Sequence, residues 1–252
     1  MNTNSDKDVV GAWLDRYAPA SFPANFVVVD TETTGIDRSR DWVCTVGLAV
    51  VQDGEITDIE DIYLDWFDFY EKRDDYATLG LFRDRLQSVQ DVMMQKYGQF
   101  GHDEDVLRSG EPPDKALARV HAQLASYAKS GIVLVGHNVI KFDVPMLHRS
   151  IRGATGESWT PDSNLVFDSM LFEKFLLGNG PAVDAAGNMA DWYSVASKGR
   201  SPRTSLHKAC RPRYELGELL TCPDHTAGCD AELTALLVMA QMGCDGYHHS
   251  AA

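Results

Sequence analysis

The stretch "VVVDTETTG", residues 27–35, sets two carboxylates, Asp30 and Glu32, at the end of three consecutive valines. In an extended chain, residues two apart project from the same face, so both acids aim at one place. Like charges repel there, and burial raises the cost unless a cation sits between them. Asp230 shows the same conflict. It lies three residues before Leu233 and seven before Leu237, on the apolar stripe of a predicted helix, where a carboxylate is rare without a partner. Asp143, in "GHNVIKFDVP", follows a predicted strand and stands two residues before Pro145. Hard oxygen ligands gathered without a cysteine suit Mg²⁺ or Mn²⁺ better than zinc. Two such ions about 3.5–4 Å apart can stabilise both the attacking and the leaving oxygen of a phosphoryl displacement. His225, five residues before Asp230 and just ahead of the last helix, can accept a proton near neutrality.

Each of these residues also has a plainer role open to it. Asp30 could cap the "TTG" turn while Glu32 faces water, and Asp143 could be the N-cap of its helix. Asp230 could be a first-turn acid favoured by the helix dipole, and His225 a surface histidine. Spacing alone does not separate these roles from chemistry.

The elements that must carry these residues are legible in outline. "FVVV", residues 26–29, reads as a central strand covered on both faces. "WVCTVGLAVVQDGEITDIEDIYLDW" reads as two strands joined at Asp53-Gly54, a strong hairpin signal. The first three strands are therefore expected to be antiparallel neighbours. Residues 77–97 read as a helix. "PPDKALARVHAQLASYAKSG" is an amphipathic helix with Pro at its start and Gly131 at its end. A strand follows at "IVLVG", then a helix near Pro145 running to about Arg152, a fifth strand at "LVFD", and a helix from about Ser169 to Leu177. Residues 178–205, rich in Gly, Ala, Ser and Asn, read as a long loop or insertion. The last helix is expected from about Ala227 to Met242. This order gives an α/β fold with a mixed five-stranded sheet flanked by helices. Fold alone names no function.

Composition bounds the class. At 252 residues and 44% hydrophobic content the chain can bury a sizeable core. It contains no apolar run long enough to span a bilayer, and its polar start "MNTNSDKD" is not a signal peptide, so a soluble cytoplasmic protein without membrane association is expected. The five cysteines form no C-x-x-C pair, which predicts reduced, mostly buried thiols. A formal charge of -14 argues against a broad basic surface that grips duplex nucleic acid.

"DTETTG", "HNVIKFD" and "HTAGCD" resemble, in order, the three exonuclease motifs of the DEDD superfamily. The subtype is the one with a histidine five residues before the last aspartate, to which the proofreading subunit of bacterial DNA polymerase III, RNase T and oligoribonuclease belong. The resemblance runs over roughly residues 24–242. It implies a ribonuclease-H-like fold and 3′-to-5′ hydrolysis of single-stranded DNA or RNA ends with two Mg²⁺ or Mn²⁺ ions. By position, Asp30, Glu32 and Asp230 would hold the ions, with Asp30 bridging both. Asp143 would complete the metal site and His225 would be the general base. Thr33, through its backbone, and Asn138 would contact the terminal nucleotide. Asp168 ends a strand where relatives often carry an acid, but here a capping role is expected. The chain then divides into an N-terminal extension, 1–23, partly helical; an exonuclease domain, 24–243, with insertions near 64–110 and 178–205; and a tail, 244–252. Where many relatives carry a His-Gly-Ile segment, this chain reads "KYGQFGHDEDVLRSGEPP".

Charge shapes the expected substrate. From Asp53 to Asp75 ten acids stand against Lys72 and Arg73, a solvated face that repels phosphates. "KGRSPRTSLHKACRPR", residues 198–213, carries six cations and no acid, and could grip a single strand. Short or single-stranded substrates, or recruitment by a protein partner, fit this balance better than tight duplex binding. The competing functions are a ribonuclease-H-type endonuclease, which His225 disfavours, a phosphatase with an Asp nucleophile, which Glu32 disfavours, and a catalytically inactive nucleic-acid-binding module, which the complete motif set disfavours.

Overall fold

The computed structural model describes residues 23–97, 102–162, 165–170, 172–173, 206, 216 and 226–241. Three strands form an antiparallel meander: β1 (Phe26–Thr33), β2 (Val43–Gln52) and β3 (Glu55–Tyr63). The β2–β3 turn is made by Asp53 and Gly54 at φ 51° and 80°, the positive pair that a two-residue hairpin requires. β4 (Val133–Gly136) and β5 (Val166–Asp168) add in parallel, giving the order β3-β2-β1-β4-β5. β1 is thus the middle strand, and Val27, Val28 and Val29 are fully buried. The expected mixed five-stranded sheet is present.

The helices are α1 (Trp66–Glu71), α2 (Tyr76–Tyr97), α3 (Glu104–Arg108), α4 (Pro113–Lys129), α5 (Asp143–Thr155) and α6 (Ala227–Gln241). Sequence reading omitted α1 and α3, whose six and five residues are too few for a helical period to show. It also ended α5 near Arg152, three residues short of its last helical residue, Thr155, which Gly156 follows in the left-handed conformation. Within the stretch 64–97, Leu64, Trp66, Phe67, Phe69, Leu79, Phe82 and Leu86 belong to the core. Phe67 and Phe82 pack edge to face at 5.0 Å, and Trp42 meets Phe82 at 5.7 Å. Cys44 is a buried free thiol as expected, whereas Cys229 is disulfide-bonded, against the expectation of reduced thiols. Spacing along the chain does not report the distance between thiols in the fold. The expected N-terminal extension up to residue 22, the insertion 178–205, most of the basic segment, the C-terminal tail and His225 lie outside the described residues. Among those described, no helix is long and apolar enough to cross a membrane.

One close approach positions the rest. α6 is buried along nearly its whole length and lies over β1, β2 and β3. Its first turn sits on Gly47 of β2, where a Cβ would come within 2.0 Å of the Ala227 backbone. Gly47 pairs with Asp30 on one side and with Asp61 on the other, and residues directly opposite in a sheet share a face. The missing side chain at Gly47 therefore lets the helix bearing Asp230 descend onto the row that carries Asp30. Replacing Gly47 by Ala should cost about 1–3 kcal/mol through forced displacement of α6, read as a lower denaturant midpoint. An unchanged midpoint would mean that the helix does not rest there.

Candidate active site

Two adjacent rows of the sheet build the site from below. The first is Asp30–Gly47–Asp61, and the second is Glu32–Thr45–Tyr63, two residues along and on the same face. The start of α6 covers the first row. His102, in the turn before α3, covers the second. Its Nδ1 lies 3.1 Å from Thr45 Oγ1, its ring 6.2 Å from that of Tyr63, and its Nε2 4.0 Å from Glu32 Oε2. Sequence reading did not single out His102, because the only signal was a departure from a familiar segment.

One carboxylate oxygen from each of Asp30, Glu32 and Asp230 lies within 4.8 Å of the other two. Three residues drawn from the two ends of the chain thus meet at one point. Asp143 stands outside that trio, yet its charge helps to raise the proton affinity of Asp30 and Glu32. It is the first residue of α5, and the N-cap position before it is taken by Phe142. Its Oδ1 instead accepts from Thr31 Oγ1 at 2.7 Å, which fixes the carboxylate against β1. The capping role left open for Asp143 is therefore not the one it plays. Nor does the "TTG" turn depend on Asp30. Asp41 accepts from the Asp37 amide at 2.7 Å, Thr34 Oγ1 accepts from the Trp42 amide at 2.9 Å, and Arg149 donates to the Asp41 carbonyl. Gly35 is required because a Cβ would fall 2.5 Å from the Asp41 carboxylate.

The expected capping role of Asp168 is present. Its carboxylate accepts from the amides of Asn138 at 3.0 Å and Met170 at 3.1 Å, with Ile140 at 3.4 Å. It thereby holds the "HNVI" turn, in which Asn138 adopts a φ of 71°, a conformation asparagine tolerates better than most residues. Thr33 Oγ1 donates to the Gly35 carbonyl at 2.6 Å, at the bulge that ends the β1–β2 pairing. Arg38 Nη1 donates to the Lys141 carbonyl at 2.9 Å, tying the loop after Glu32 to the turn before Asp143.

Electrostatics follow from this crowding. Burial and the neighbouring charges of Asp143, Asp230, Glu32 and Asp61 hold Asp30 well above the usual carboxylate range. Burial, with Asp230, Asp143 and Asp61, pushes Glu32 up to about 8. Burial pushes Asp143 to about 7 against the opposing Thr31 hydrogen bond. Burial also holds His102 down at about 4, so its ring is neutral at pH 7 and offers no countercharge to Glu32. A donor set of carboxylate oxygens, crowded until protons are retained, fits divalent cations such as Mg²⁺ or Mn²⁺.

No protein-family model and no curated protein matches the chain. Solved structures do. E. coli exonuclease I in complex with a dT13 oligonucleotide is 15% identical, with a TM-score of 0.54 over 87% of this chain and 41% of that one. The zinc-ion-bound form of the E. coli exonuclease I–single-stranded DNA complex gives 15% identity and a TM-score of 0.54 over 87% of this chain and 40% of that one. Apo exonuclease I gives 15% and 0.54 over 88% and 42%. The chain thus shares the ribonuclease-H-like exonuclease fold and spans less than half the length of those proteins.

The shifted carboxylates set a pH dependence. Asp30, Glu32 and Asp143 bind protons more tightly folded than unfolded, so the folded state holds more protons between about pH 4 and 8 and stability falls as pH rises through that window. His102 is shifted the opposite way, and its contribution is lost as pH falls from about 6.5 toward about 4, below the range compared next. The metal-free protein in chelator should therefore melt at a lower temperature at pH 8.5 than at pH 6.5. Glu32→Gln should flatten that slope. A wild-type melting temperature that rises over this range would contradict the electrostatic picture.

Proposed function

We propose that this protein is a metal-dependent 3′-to-5′ exonuclease acting on single-stranded nucleic-acid ends and releasing nucleoside 5′-monophosphates. The observation that carries the reading is the meeting of Asp30, Glu32 and Asp230 oxygens within 4.8 Å, on a fold shared with exonuclease I. Those three residues would hold two Mg²⁺ or Mn²⁺ ions, with Asp143 completing the set. Bound there, the ions would activate water and stabilise charge on the attacking and leaving oxygens. The protein's own part is to hold the carboxylates on rigid elements: a buried strand, a helix start pinned by Thr31, and a helix seated on Gly47. His225, next in sequence to Thr226 at the start of α6, is the proposed general base. Thr33 and Asn138 are proposed to contact the terminal nucleotide, the latter from a turn held by Asp168.

Single-stranded DNA is the proposed substrate class, in keeping with the oligonucleotides bound by the exonuclease I structures. The acidity of the chain supports it as well, since a single strand is held by local contacts and stacking and does not need a broad basic surface. Recruitment by a protein partner would offset the overall repulsion.

A 3′-labelled single strand incubated with Mg²⁺ should lose its label first, and Asp30→Ala should abolish the loss. His225→Ala should keep Mn²⁺ binding while turnover falls roughly 10²–10⁴-fold, the usual contribution of a general base. Internal cleavage of a circular single strand, or label loss that survives Asp30→Ala, would overturn the assignment. Matched DNA and RNA strands in the same assay rank the two substrates.

A further inference from the structure

Asp61 was expected to belong to a solvated acidic face. Its position says otherwise. It ends the row Asp30–Gly47–Asp61 across three strands, on the face that α6 covers. Its Oδ1 accepts from the Gly228 amide at 2.7 Å, and its Oδ2 accepts from Thr226 Oγ1 at 3.0 Å. Thr226 Oγ1 in turn accepts from the Cys229 amide at 3.2 Å, and the Asp230 amide donates to the Thr226 carbonyl at 2.9 Å. The first turn of α6 is thus gripped on one side by Asp61 and seated underneath on Gly47. A Cβ at Gly228 would meet the Asp61 carboxylate at 2.8 Å, so the contact leaves no slack.

An ordinary N-cap is local, supplied by the residue just before the helix, and Thr226 already serves as one. Asp61 comes from 165 residues earlier in the chain. What it adds is a fixed relation between the helix start and the sheet. Resting on the proposed nuclease function, we infer that Asp61 is a positioning residue that sets where Asp230 stands relative to Asp30 and Glu32. It does so through its two accepted hydrogen bonds and not as a cation ligand. Two charge-assisted bonds to a helix start suit this task, being short, directional and stronger than neutral ones. The grip also reaches Thr226, the residue that follows His225.

The test compares Asp61→Ala with Asp61→Asn, which can still accept from the Gly228 amide. Asp61→Ala should weaken Mn²⁺ binding by calorimetry and lower kcat, each about 10–100-fold as for residues that orient ligands. KM for a labelled single strand should stay nearly constant. Asp61→Asn should stay within about threefold of wild type. Amide hydrogen exchange at Gly228 and Cys229 should accelerate in the Ala variant and not in the Asn variant, with later α6 amides unaffected. Wild-type Mn²⁺ affinity and kcat in folded Asp61→Ala would overturn the inference, as would equal losses in the Ala and Asn variants. Should Asp61→Ala fail to fold, Thr226→Val and Thr226→Ser decide it: Val should lose part of the Mn²⁺ affinity and Ser retain it, and equality of Val with wild type overturns it. Should wild type neither bind Mn²⁺ nor cut DNA, the nuclease reading falls on its own, and the exchange difference between Ala and Asn then upholds or overturns the grip.

Discussion

Carboxylates crowded at the end of a buried strand repel one another, and the surroundings of Asp30 hold them together against that repulsion. No single interaction does this. β1 contributes two acids whose separation is set by strand alternation. Thr31, on the opposite face of the same strand, ties down Asp143. Gly47 removes the one side chain that would keep α6 off the sheet. The result is a site whose unfavourable electrostatics are borne by the rest of the fold, including the fully buried valines of β1 and the almost wholly buried α6. Strain or repulsion retained at one place by rigid surroundings is a common mark of a functional site.

The same constraint explains the roles of neighbouring polar groups. Asp41 and Asp168 are buried acids that do not join the cluster and serve as acceptors for backbone amides of the two turns beside it. Those turns follow Glu32 and precede Asp143, so both approaches to the cluster are fixed. Arg38 closes the gap between them by bonding to the Lys141 carbonyl. His102, buried and neutral, fills the space over Thr45 without adding a charge. A protonated imidazole there would partly neutralise Glu32 and weaken the attraction for a divalent cation.

Much of this arrangement could be read from the sequence where the relevant signal is short in range. The alternation that aligns Asp30 with Glu32 spans two residues, the hairpin turn is two residues long, and the stripe that exposes the anomaly of Asp230 spans two helical turns. Asp61 was hidden for a specific reason. Counting outward from the Asp53-Gly54 turn pairs Gly47 with Glu60, which would place Asp61 on the opposite face. A bulge between Val50 and Val51 shifts the register by one, so that Gly47 pairs with Asp61. Nothing in the local sequence marks that bulge. β3 is also an outer strand in which only Ile62 is buried, so its acids read as a solvated face. His102 was hidden because its partners Glu32, Thr45 and Tyr63 lie 39 or more residues away in the chain.

On the proposed function, divalent cations entering this cluster must displace the protons that burial and crowding keep on its carboxylates. Titration calorimetry of the metal-free protein with Mn²⁺ at pH 7, repeated in buffers of different ionisation enthalpy, tests it directly. Binding of two ions with release of about one proton or more per protein molecule is the expected result, because ligands held protonated must be deprotonated as the cation enters. Absence of binding, or binding with no proton release, would contradict it.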